Sequence, residues 1–473
     1  MKLISEGVNR YRLARAEGRR VEVVVFVSPA LVSYLYEDKS LEQLAHAAQL
    51  PGVISPVVGM PDIHEGFGLP IGGVMAVGEE GIISAGAVGM DINCGVRLVR
   101  TGLQARDFNK PILRELMQKI EEYIPTGIGR KGRHHGITRA IFEEVVYTGA
   151  KGVIAQGFGH EQDLEHIEER GCLKGADLGA LSSKAYERGS VQLGTLGGGN
   201  HFIELQEVVE IFDRSLAKAF GLFPGQLTVM IHTGSRGFGH QICTDYSRSL
   251  LTVAEKYKLN LPSKGLACAP INSPEGKNYY AAMACAVNFA FSNRQIIMHD
   301  VMKAFAGVLG ETPLKLGMKI VYDVAHNIAK WEKHNKARVL IHRKGATRAL
   351  PAGHPDNPPV YLNTGHPVLI PGSMGTASYV LVGTPLAKET FFSVNHGAGR
   401  VLSRNAAAKV ITREEFNGSM GEVLYNARNY RELIDEAPPA YKNIDEVINT
   451  LVTLGFTQKV ARMHPLAVIK GKD

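Results

Sequence analysis

The chain has 473 residues, of which 45% are hydrophobic and 21% charged, which are ordinary values for a globular protein with a large core. Its formal net charge of +7 is compatible with a polyanionic partner but is too small to indicate one by itself. The sequence contains no apolar run long enough for a transmembrane helix and no signal-peptide pattern at its start. Five cysteines without CxxC spacing argue against a disulfide scaffold and favour a reducing compartment. We therefore expect a cytoplasmic protein that does not associate with membranes.

The predicted elements alternate without the regular rhythm of a parallel α/β sheet. Short apolar or β-branched runs predict strands at Val21–Val27, Val96–Arg100, His201–Leu205, Leu227–His232, Ile320–Val324 and Phe391–Val394. Apolar residues at helical spacing predict helices at Pro111–Ile120, about Tyr279–Leu309 and Ile444–Leu454. These elements predict an α+β fold with mixed β-sheets flanked by helices.

The segments that connect these elements indicate how many domains the chain forms. The length alone is typical of two or three domains, but no linker, internal repeat or low-complexity tract divides the chain. The proline-rich segment 351–359 has motif-like sequence on both sides, so we interpret it as a surface loop. We therefore predict one compact domain over residues 1–473, with 351–359 as a loop inserted in it.

Side chains that bind metals lie at the ends of several predicted strands. His232 and His326 each end an apolar run, His201 begins one, and Asp91 and Cys94 lie in a turn that enters another. Strand ends can bring such side chains to one rigid cleft, where imidazole, thiolate and carboxylate together can hold divalent metal ions. Any one of these histidines alone is more often structural, and Cys94 alone is more often a small buried hydrophobe. Only the repetition of the pattern groups them into a candidate site.

His396 follows a strand-like run and is flanked by glycines in the sequence NHGAGR. Gly397 and Gly399 leave room for a phosphate near the backbone, and Arg400 can hold a phosphoryl oxygen. A neutral imidazole nitrogen can attack phosphorus to give a phosphoramidate. The alternative for this segment alone is a histidine that hydrogen-bonds a turn.

Three further segments have residues suited to phosphate: the basic run 342–348, the glycine- and serine-containing run 371–378, and Ser235–Gly237. Each alone could equally be a solvated loop or a simple turn. None is a P-loop, because GxxxxGK[ST] is absent, and the GTLGGGN run precedes a strand-like segment, unlike a Rossmann turn.

Taken together and in order, the segments DINCGVR, GGGNHFIE, HTGSRG, YDVAHN, HRKGATRA, PGSMGTASYV and NHGAGR resemble the RtcB family of tRNA-splicing RNA ligases. The resemblance spans about residues 55 to 471. It implies an RtcB-like fold with a metal-lined central cleft. It also implies a ligase that joins RNA 2′,3′-cyclic phosphate or 3′-phosphate ends to 5′-hydroxyl ends in tRNA splicing and RNA repair.

The resemblance implies the cofactors and the roles of individual residues. GTP is the co-substrate, and its GMP is carried by His396 before it passes to the RNA 3′-phosphate. Two manganese ions are expected, held by Asp91, Cys94, His201, His232 and His326, with Cys94 between them. Arg236 and Arg400 match RNA phosphate-binding positions, and Arg343 is a third arginine that we expect to face phosphate. The guanylate contacts are expected from Asn200, His201, Phe202, Glu204, His326, Asn327, Pro371, Gly372, Ser373, Met374, Ser378, His396, Gly397, Ala398, Gly399 and Lys470.

Several alternatives stay open at this stage. The chain runs two residues past the Lys-Gly that usually ends the family, so the family's lysine is Lys470 or Lys472. A metal-dependent phosphodiesterase or phosphatase acting on RNA ends is the main rival function, although it needs neither Glu204 nor a covalent His396. A non-enzymatic RNA-binding protein is a second rival, but the aromatic content of 7% is low for base stacking. The expected partners are tRNA halves or broken RNA ends, and the need for an archease-type activator is undecided.

Overall fold

The computed structural model describes residues 1–134, 137–427 and 429–471. Its strands, numbered in chain order, are β1 (Leu3–Ser5), β2 (Arg10–Leu13), β3 (Val23–Phe26), β4 (Val53–His64), β5 (Ile71–Val77), β6 (Ile82–Ser84), β7 (Gly95–Gln104), β8 (Phe202–Ile211), β9 (Gln226–Thr233), β10 (Cys268–Pro270), β11 (Lys319–Ala325), β12 (Asn327–His334), β13 (Ala337–Lys344), β14 (Ala346–Arg348), β15 (Val368–Ile370), β16 (Ser378–Gly383), β17 (Ser393–Asn395), β18 (Leu424–Tyr425) and β19 (Thr457–Lys470).

The α-helices are α1 (Ser40–Ala47), α2 (Lys110–Tyr123), α3 (Arg139–Thr148), α4 (Ala150–Ala155), α5 (Ser183–Gly189), α6 (Arg214–Phe220), α7 (Arg236–Lys256), α8 (Pro274–Leu309), α9 (Arg404–Val410), α10 (Arg413–Met420) and α11 (Ile444–Thr453). Within the described residues, none of these helices is both long enough and apolar enough to cross a membrane.

Two large mixed sheets organise the protein. The first has seven strands in the order β1-β2-β3-β4-β5-β13-β12, and the second has eight, in the order β11-β7-β9-β8-β19-β16-β15 with β18 beside β19. Most neighbours are antiparallel, but β3 pairs with β4 and β18 with β19 in parallel. Two small ribbons, β6–β10 and β14–β17, complete the sheet structure. The predicted α+β class with mixed sheets is confirmed.

The apolar residues form three buried clusters around these sheets. One lies between the large sheets, where β3, β4 and β5 face β15, β16 and α11. A second covers the other side of the eight-stranded sheet and includes α6 and α10. The largest packs α2, α3, α7 and α8 against strands of both sheets. The helices therefore flank the sheets, as the sequence predicts.

Helix α8 is buried on nearly every side, and it begins at Pro274, earlier than the predicted Tyr279. Ser273 caps it by accepting a hydrogen bond from the Gly276 N–H, and Pro274 occupies the first turn. Its middle carries buried polar side chains, among them Asn293 and Arg294, that reach out to neighbouring loops.

The run Phe391–Val394 was predicted as a strand, but only its second half is one. Phe391 and Phe392 have φ of 54° and 49°, in the left-handed region, so they turn the chain before β17 begins at Ser393. The segment 351–359 forms turns between β14 and β15, without strands or α-helices, and most of its residues are exposed or half-buried.

Candidate metal and nucleotide site

Neighbouring strand ends of the eight-stranded sheet build the candidate site. His232, near the end of β9, lies opposite Val96 of β7 on one side and Phe202 of β8 on the other. Both β7 and β8 begin at this edge, just after Cys94 and His201 respectively. The antiparallel register therefore brings residues distant in the sequence to one edge of the sheet.

Arg294 of α8 forms hydrogen bonds with residues at these strand ends. Its Nη1 donates to the backbone oxygens of Asn93, at 2.9 Å, and Thr233, at 2.8 Å. Its Nη2 donates to Asp323 Oδ1 of β11 at 2.8 Å, and both side chains are fully buried. One guanidinium thus fixes the turn before Cys94, the turn after His232 and the strand that leads to His326.

The five predicted metal ligands lie together, in two overlapping groups. Asp91, Cys94 and His201 form one, and Cys94, His232 and His326 form the other, with the ligand atoms of each group within 4.8 Å of one another. Cys94 Sγ lies 3.4 Å from His201 Nε2 and 3.3 Å from His232 Nε2. Because Cys94 belongs to both groups, the arrangement suits a thiolate that bridges two ions.

Two histidines of this cluster are in the neutral form that binds metal. Burial lowers the pKa of His232 and of His326 well below the usual range, so both rings are neutral. Their Nε2 atoms nevertheless face each other at 3.3 Å, and their Nδ1 atoms have no hydrogen-bond partner among the described residues. Two neutral imidazoles, a thiol and a carboxylate that converge in this way fit a divalent cation of the first transition row.

His396 lies beside this cluster, with its ring centroid 4.8 Å from that of His326. Its Nδ1 is 2.6 Å from Oδ2 of the buried Asp62, and the same oxygen accepts the backbone N–H of His396 at 3.0 Å. The carboxylate places the ring proton on Nδ1 and leaves the lone pair on Nε2. No hydrogen bond to His396 Nε2 is found within the described part of the chain.

Asp62 was missed in the sequence. It lies near the end of β4, in the run Met60–His64, and is 334 residues away from His396. The preceding residues 57–61, VVGMP, form an apolar run typical of a buried strand, so the carboxylate at its end was the available signal: a buried Asp needs a partner.

A cavity of about 280 Å³ opens next to His396. Many of the predicted guanylate-binding residues line it: Asn200, Phe202, Pro371, Gly372, Ser373, Met374, His396, Gly397, Ala398, Gly399 and Lys470. Arg400 lines it as well, together with residues that were not predicted: His64, Ile71, Arg404, Glu436 and Tyr441.

Glu204 and Ser378 lie behind this cavity and are linked through Gln206. Gln206 Nε2 donates to Glu204 Oε2 at 2.7 Å and to Ser378 Oγ at 3.1 Å, while Ser378 Oγ accepts the N–H of Gly372 at 3.1 Å. Glu204 Oε1 is buried without a hydrogen-bond partner. Burial raises the pKa of Glu204 to about 8, against the opposing effects of Gln206 and Lys470. A buried acceptor with no partner is an available contact for a ligand's N–H groups.

Glu436 was also missed, and it holds several cations at the cavity wall. Arg400 Nη1 and Arg404 Nε each lie 3.1 Å from Glu436 Oε1, and Lys470 Nζ lies 3.9 Å from Glu436 Oε2. Lys470 Nζ is also 6.0 Å from the centre of the Phe202 ring. Lys472 lies outside the described residues. Nothing in the run around Glu436 distinguishes it in sequence from an ordinary surface glutamate.

The remaining predicted residues have mixed placements. Arg236 is buried next to the cluster and donates to Thr195 Oγ1 at 3.2 Å and to the Gly127 oxygen at 2.8 Å. Asn327 Nδ2 donates to the backbone oxygen of Asp91 at 3.0 Å.

The prediction that Arg343 faces phosphate is wrong. Its side chain is fully buried, is paired with Glu332, and also donates to the backbone oxygen of Phe391. Strand β13 turns this basic side chain inward.

Together these features define an α+β protein with a candidate metal centre, an aspartate-held histidine and a cavity lined with polar groups. Comparison with known proteins identifies the family. The model of the family described as tRNA-splicing ligase RtcB matches residues 43–471. A protein of Thermococcus kodakarensis named tRNA-splicing ligase RtcB is 46% identical over 471 residues, which cover 98% of this chain and 97% of the relative.

Two further relatives agree. One from Archaeoglobus fulgidus, with the same name, is 46% identical and covers 96% of this chain and 95% of its own length. One from Mycobacterium bovis, named RNA-splicing ligase RtcB, is 44% identical and covers 91% of this chain and 100% of its own length. The chain belongs to the RtcB family, so the resemblance seen in the sequence is confirmed.

Proposed function

We propose that this protein is an RNA ligase that acts in tRNA splicing and RNA repair. It joins RNA ends that carry a 2′,3′-cyclic phosphate or a 3′-phosphate to ends that carry a 5′-hydroxyl. Membership of the RtcB family supports ligation and does not favour the phosphodiesterase alternative. The observation that carries the proposal is the Asp62–His396 pair, which presents an imidazole nitrogen beside the candidate metal cluster.

His396 Nε2 is the proposed nucleophile toward the α-phosphorus of GTP. The Nε2–P bond forms as the bond to the β-phosphate oxygen breaks, and pyrophosphate leaves with that electron pair. Asp62 Oδ2, 2.6 Å from Nδ1, stabilises the positive charge that develops on the ring. Gly399 allows the loop after His396 to lie directly against Asp62. Its φ is 77°, and a side chain there would collide with the Asp62 backbone.

The RNA 3′-phosphate then receives GMP. An oxygen of this phosphate attacks the guanylate phosphorus, the Nε2–P bond breaks, and His396 is regenerated. The 5′-hydroxyl of the second strand attacks the activated 3′-phosphate, and GMP leaves. A cyclic phosphate must first be opened to a 3′-phosphate by water. Arg236 and Arg400 are the proposed phosphate contacts, although both are also held by the fold.

Two manganese ions are the proposed cofactors, held by Asp91, Cys94 and His201 and by Cys94, His232 and His326. Bound there, divalent ions would neutralise phosphate charge and steady an in-line displacement.

Glu204 is the proposed reader of guanine. Its carboxylate can accept hydrogen bonds from N1–H and the exocyclic amine, which adenine does not offer in the same positions. Lys470 lines the cavity, and its charge lowers the pKa of Glu204; it is the proposed family lysine that contacts the nucleotide.

The test is incubation with α-labelled GTP and manganese, followed by detection of label on the protein. The label should be labile in acid, stable in alkali and mapped to His396. His396→Gln should abolish labelling, whereas His354→Gln, a matched change in the loop 351–359, should not. Label on another residue, or RNA joining that needs no GTP, would contradict the proposal.

Joining assays test the proposed direction of the reaction. Substrates that pair a 3′-phosphate with a 5′-hydroxyl should be joined, and the junction phosphate should derive from the 3′ end. Substrates with 3′-hydroxyl and 5′-phosphate ends should remain separate. More than one product per protein molecule without an added partner would show that no archease-type activator is needed. We assign this work to the cytoplasm, where a reducing environment keeps Cys94 available as a metal ligand.

A further inference from the structure

The segment Thr126–His134, between α2 and α3, is rich in basic residues and is not used by the proposed reaction. It runs alongside residues 191–196, the stretch that leads into Asn200 and His201. Thr126 forms a bridge with Leu196, and the Gly132 N–H donates to the Val191 oxygen at 2.8 Å. The segment therefore lies at the edge of the candidate site.

Both ends of this segment are fixed to the protein. At the near end, the Gly127 oxygen accepts from Arg236 Nη2 at 2.8 Å. At the far end, His134 Nε2 lies 2.7 Å from the buried Asp300 Oδ2, and Arg133 Nη1 donates to the Glu122 oxygen at the end of α2. Two of the basic residues thus serve the fold, and they hold the loop in a defined position.

The two basic residues between these anchors have no such role. Arg130 and Lys131 are adjacent and exposed, and neither forms an ion pair or hydrogen bond with another described residue. Arg130 lies three residues after Gly127, so its Cα is within about 11 Å of that anchor. These two neighbouring cations form no ion pair with the described residues. The loop holds them close to Arg236, a proposed contact for RNA phosphate.

We propose that Arg130 and Lys131 bind the phosphodiester backbone of an RNA strand a few nucleotides from the end that is joined. The inference rests on the proposed RNA ligase function and extends it to the body of the substrate. Phosphate is the ligand because exposed cations on a fixed loop track a backbone without reading its sequence. The exposed Ile128, with 69% of its surface accessible, lies on the same loop and offers an apolar contact to a base.

The experiment measures RNA binding and joining by the full chain at several salt concentrations. The variant R130Q/K131Q should bind RNA on the order of tenfold more weakly at low salt, and its salt slope should fall by about 1.4, which is 0.7 for each lost phosphate contact on a single strand. R130K/K131R, which keeps both charges, should behave like the unmodified protein. R214Q/K218Q removes two exposed cations from α6, beyond the opposite end of β8, and should change neither quantity.

The two RNA strands are distinguished by their length. In one arm the 5′-hydroxyl strand is shortened stepwise, and in the other the 3′-phosphate strand is shortened. One of the two strands contacts the loop. Once that strand is too short to reach Arg130 and Lys131, R130Q/K131Q and the unmodified protein should bind the RNA equally well. An unchanged salt slope and affinity in R130Q/K131Q would overturn the inference. Failure of the proposed function would instead appear as missing GMP label in the unmodified protein, in an assay that contains no RNA.

Discussion

At the scale of single residues, the contact between Asp62 and His396 determines which ring nitrogen carries the proton. Asp62 Oδ2 also accepts the backbone N–H groups of His396 and Gly397, at 3.0 and 3.3 Å, so one carboxylate fixes the backbone and the ring together. Sequence reasoning found His396 from its glycine-flanked motif. It could not pair Asp62 with His396, because the two residues meet only through the packing of β17 beside β4.

We predict that Asp62→Asn slows guanylation by roughly 100-fold or more while the fold is retained. The amide has nearly the same shape, but it no longer stabilises a positive ring or enforces protonation at Nδ1. The rate of label incorporation from GTP measures the effect, and the thermal unfolding temperature confirms folding. Asp38→Asn, at a carboxylate that accepts the Ser40 N–H at the start of α1, is the control. A guanylation rate within twofold of the unmodified protein would refute the role of Asp62.

We expect that ionised, buried Glu204 lowers the stability of the folded protein and that Glu204 is necessary for guanine binding. Its folded pKa of about 8 exceeds the ordinary value of 4.5, so its contribution to stability is full below pH 4.5 and is lost as the pH rises toward 8. Glu204→Gln should therefore raise the unfolding temperature at pH 8, on the order of 2 °C or more, and flatten its dependence on pH.

The same substitution should weaken GTP-dependent labelling on the order of 100-fold, because the charged acceptor for guanine is lost. Calorimetric titration should also show that GTP binding releases a proton at pH 7, where Glu204 is protonated in the free protein. Glu210→Gln, an exposed change on the same strand, is the control. A Glu204→Gln variant that is both less stable and fully active would contradict this account.

Cys94 is common to both groups of candidate metal ligands, whereas His326 belongs to one of them. Cys94→Ala should therefore lower the manganese content from two ions per chain toward none, and His326→Ala should lower it by one. Metal analysis after gel filtration measures both. Cys268→Ala, a buried cysteine in β10, should leave the metal content unchanged. Equal metal content in Cys94→Ala and the unmodified protein would exclude Cys94 as a ligand.

At the scale of elements, α8 acts as the support of the site without entering it. Arg294 fixes three strand ends, and Asn293 Oδ1 accepts the N–H groups of Gly194 and Thr195 at 2.8 and 3.1 Å. The alanine-rich pattern of α8 predicted a buried helix. It did not reveal which polar residues support the site, since buried polar groups on such a helix can satisfy any neighbouring loop.

Arg294→Lys should weaken manganese binding by about 10- to 100-fold, although the hydrogen bonds of Arg294 to described residues reach none of the candidate ligand side chains. Lysine keeps the charge near Asp323 but cannot also donate to the oxygens of Asn93 and Thr233, so stability should fall by about 2 kcal/mol or more. Metal titration and denaturant unfolding measure the two effects. Arg248→Lys, at an exposed position of α7, is the matched control. Undiminished metal affinity in Arg294→Lys would show that the strand ends do not need this support.

At the scale of the whole molecule, the largest apolar cluster includes residues as far apart as Leu13 and Ile469. We therefore propose that the predicted single domain holds, and we expect one cooperative unfolding transition. The calorimetric and van't Hoff enthalpies should agree, and manganese should shift the whole transition upward. Two separate transitions, only one of them shifted by manganese, would show independent domains.

The sequence predicted the fold class and the positions of five of the six strands proposed from it, because short apolar or β-branched runs are a local signal. It also predicted which histidines converge, since His201, His232 and His326 each lie next to a strand end. It failed for the basic run 342–348, which looked exposed although the side chains of His342, Arg343, Lys344 and Arg348 are all buried. Partners such as Glu332 and Glu436 follow from tertiary pairing, which no local pattern encodes.

Strand β19 follows all the other described strands in the sequence, yet it lies between β8 and β16 in the eight-stranded sheet. During synthesis on the ribosome, the edges of β8 and β16 are made long before the strand that joins them. Until Thr457–Lys470 has emerged, a nascent chain exposes two unpaired strand edges that could pair with other chains. It also lacks Lys470, so the candidate nucleotide cavity is missing one of the residues that line it. Synthesis itself thus delays the formation of this site until β19 has been made.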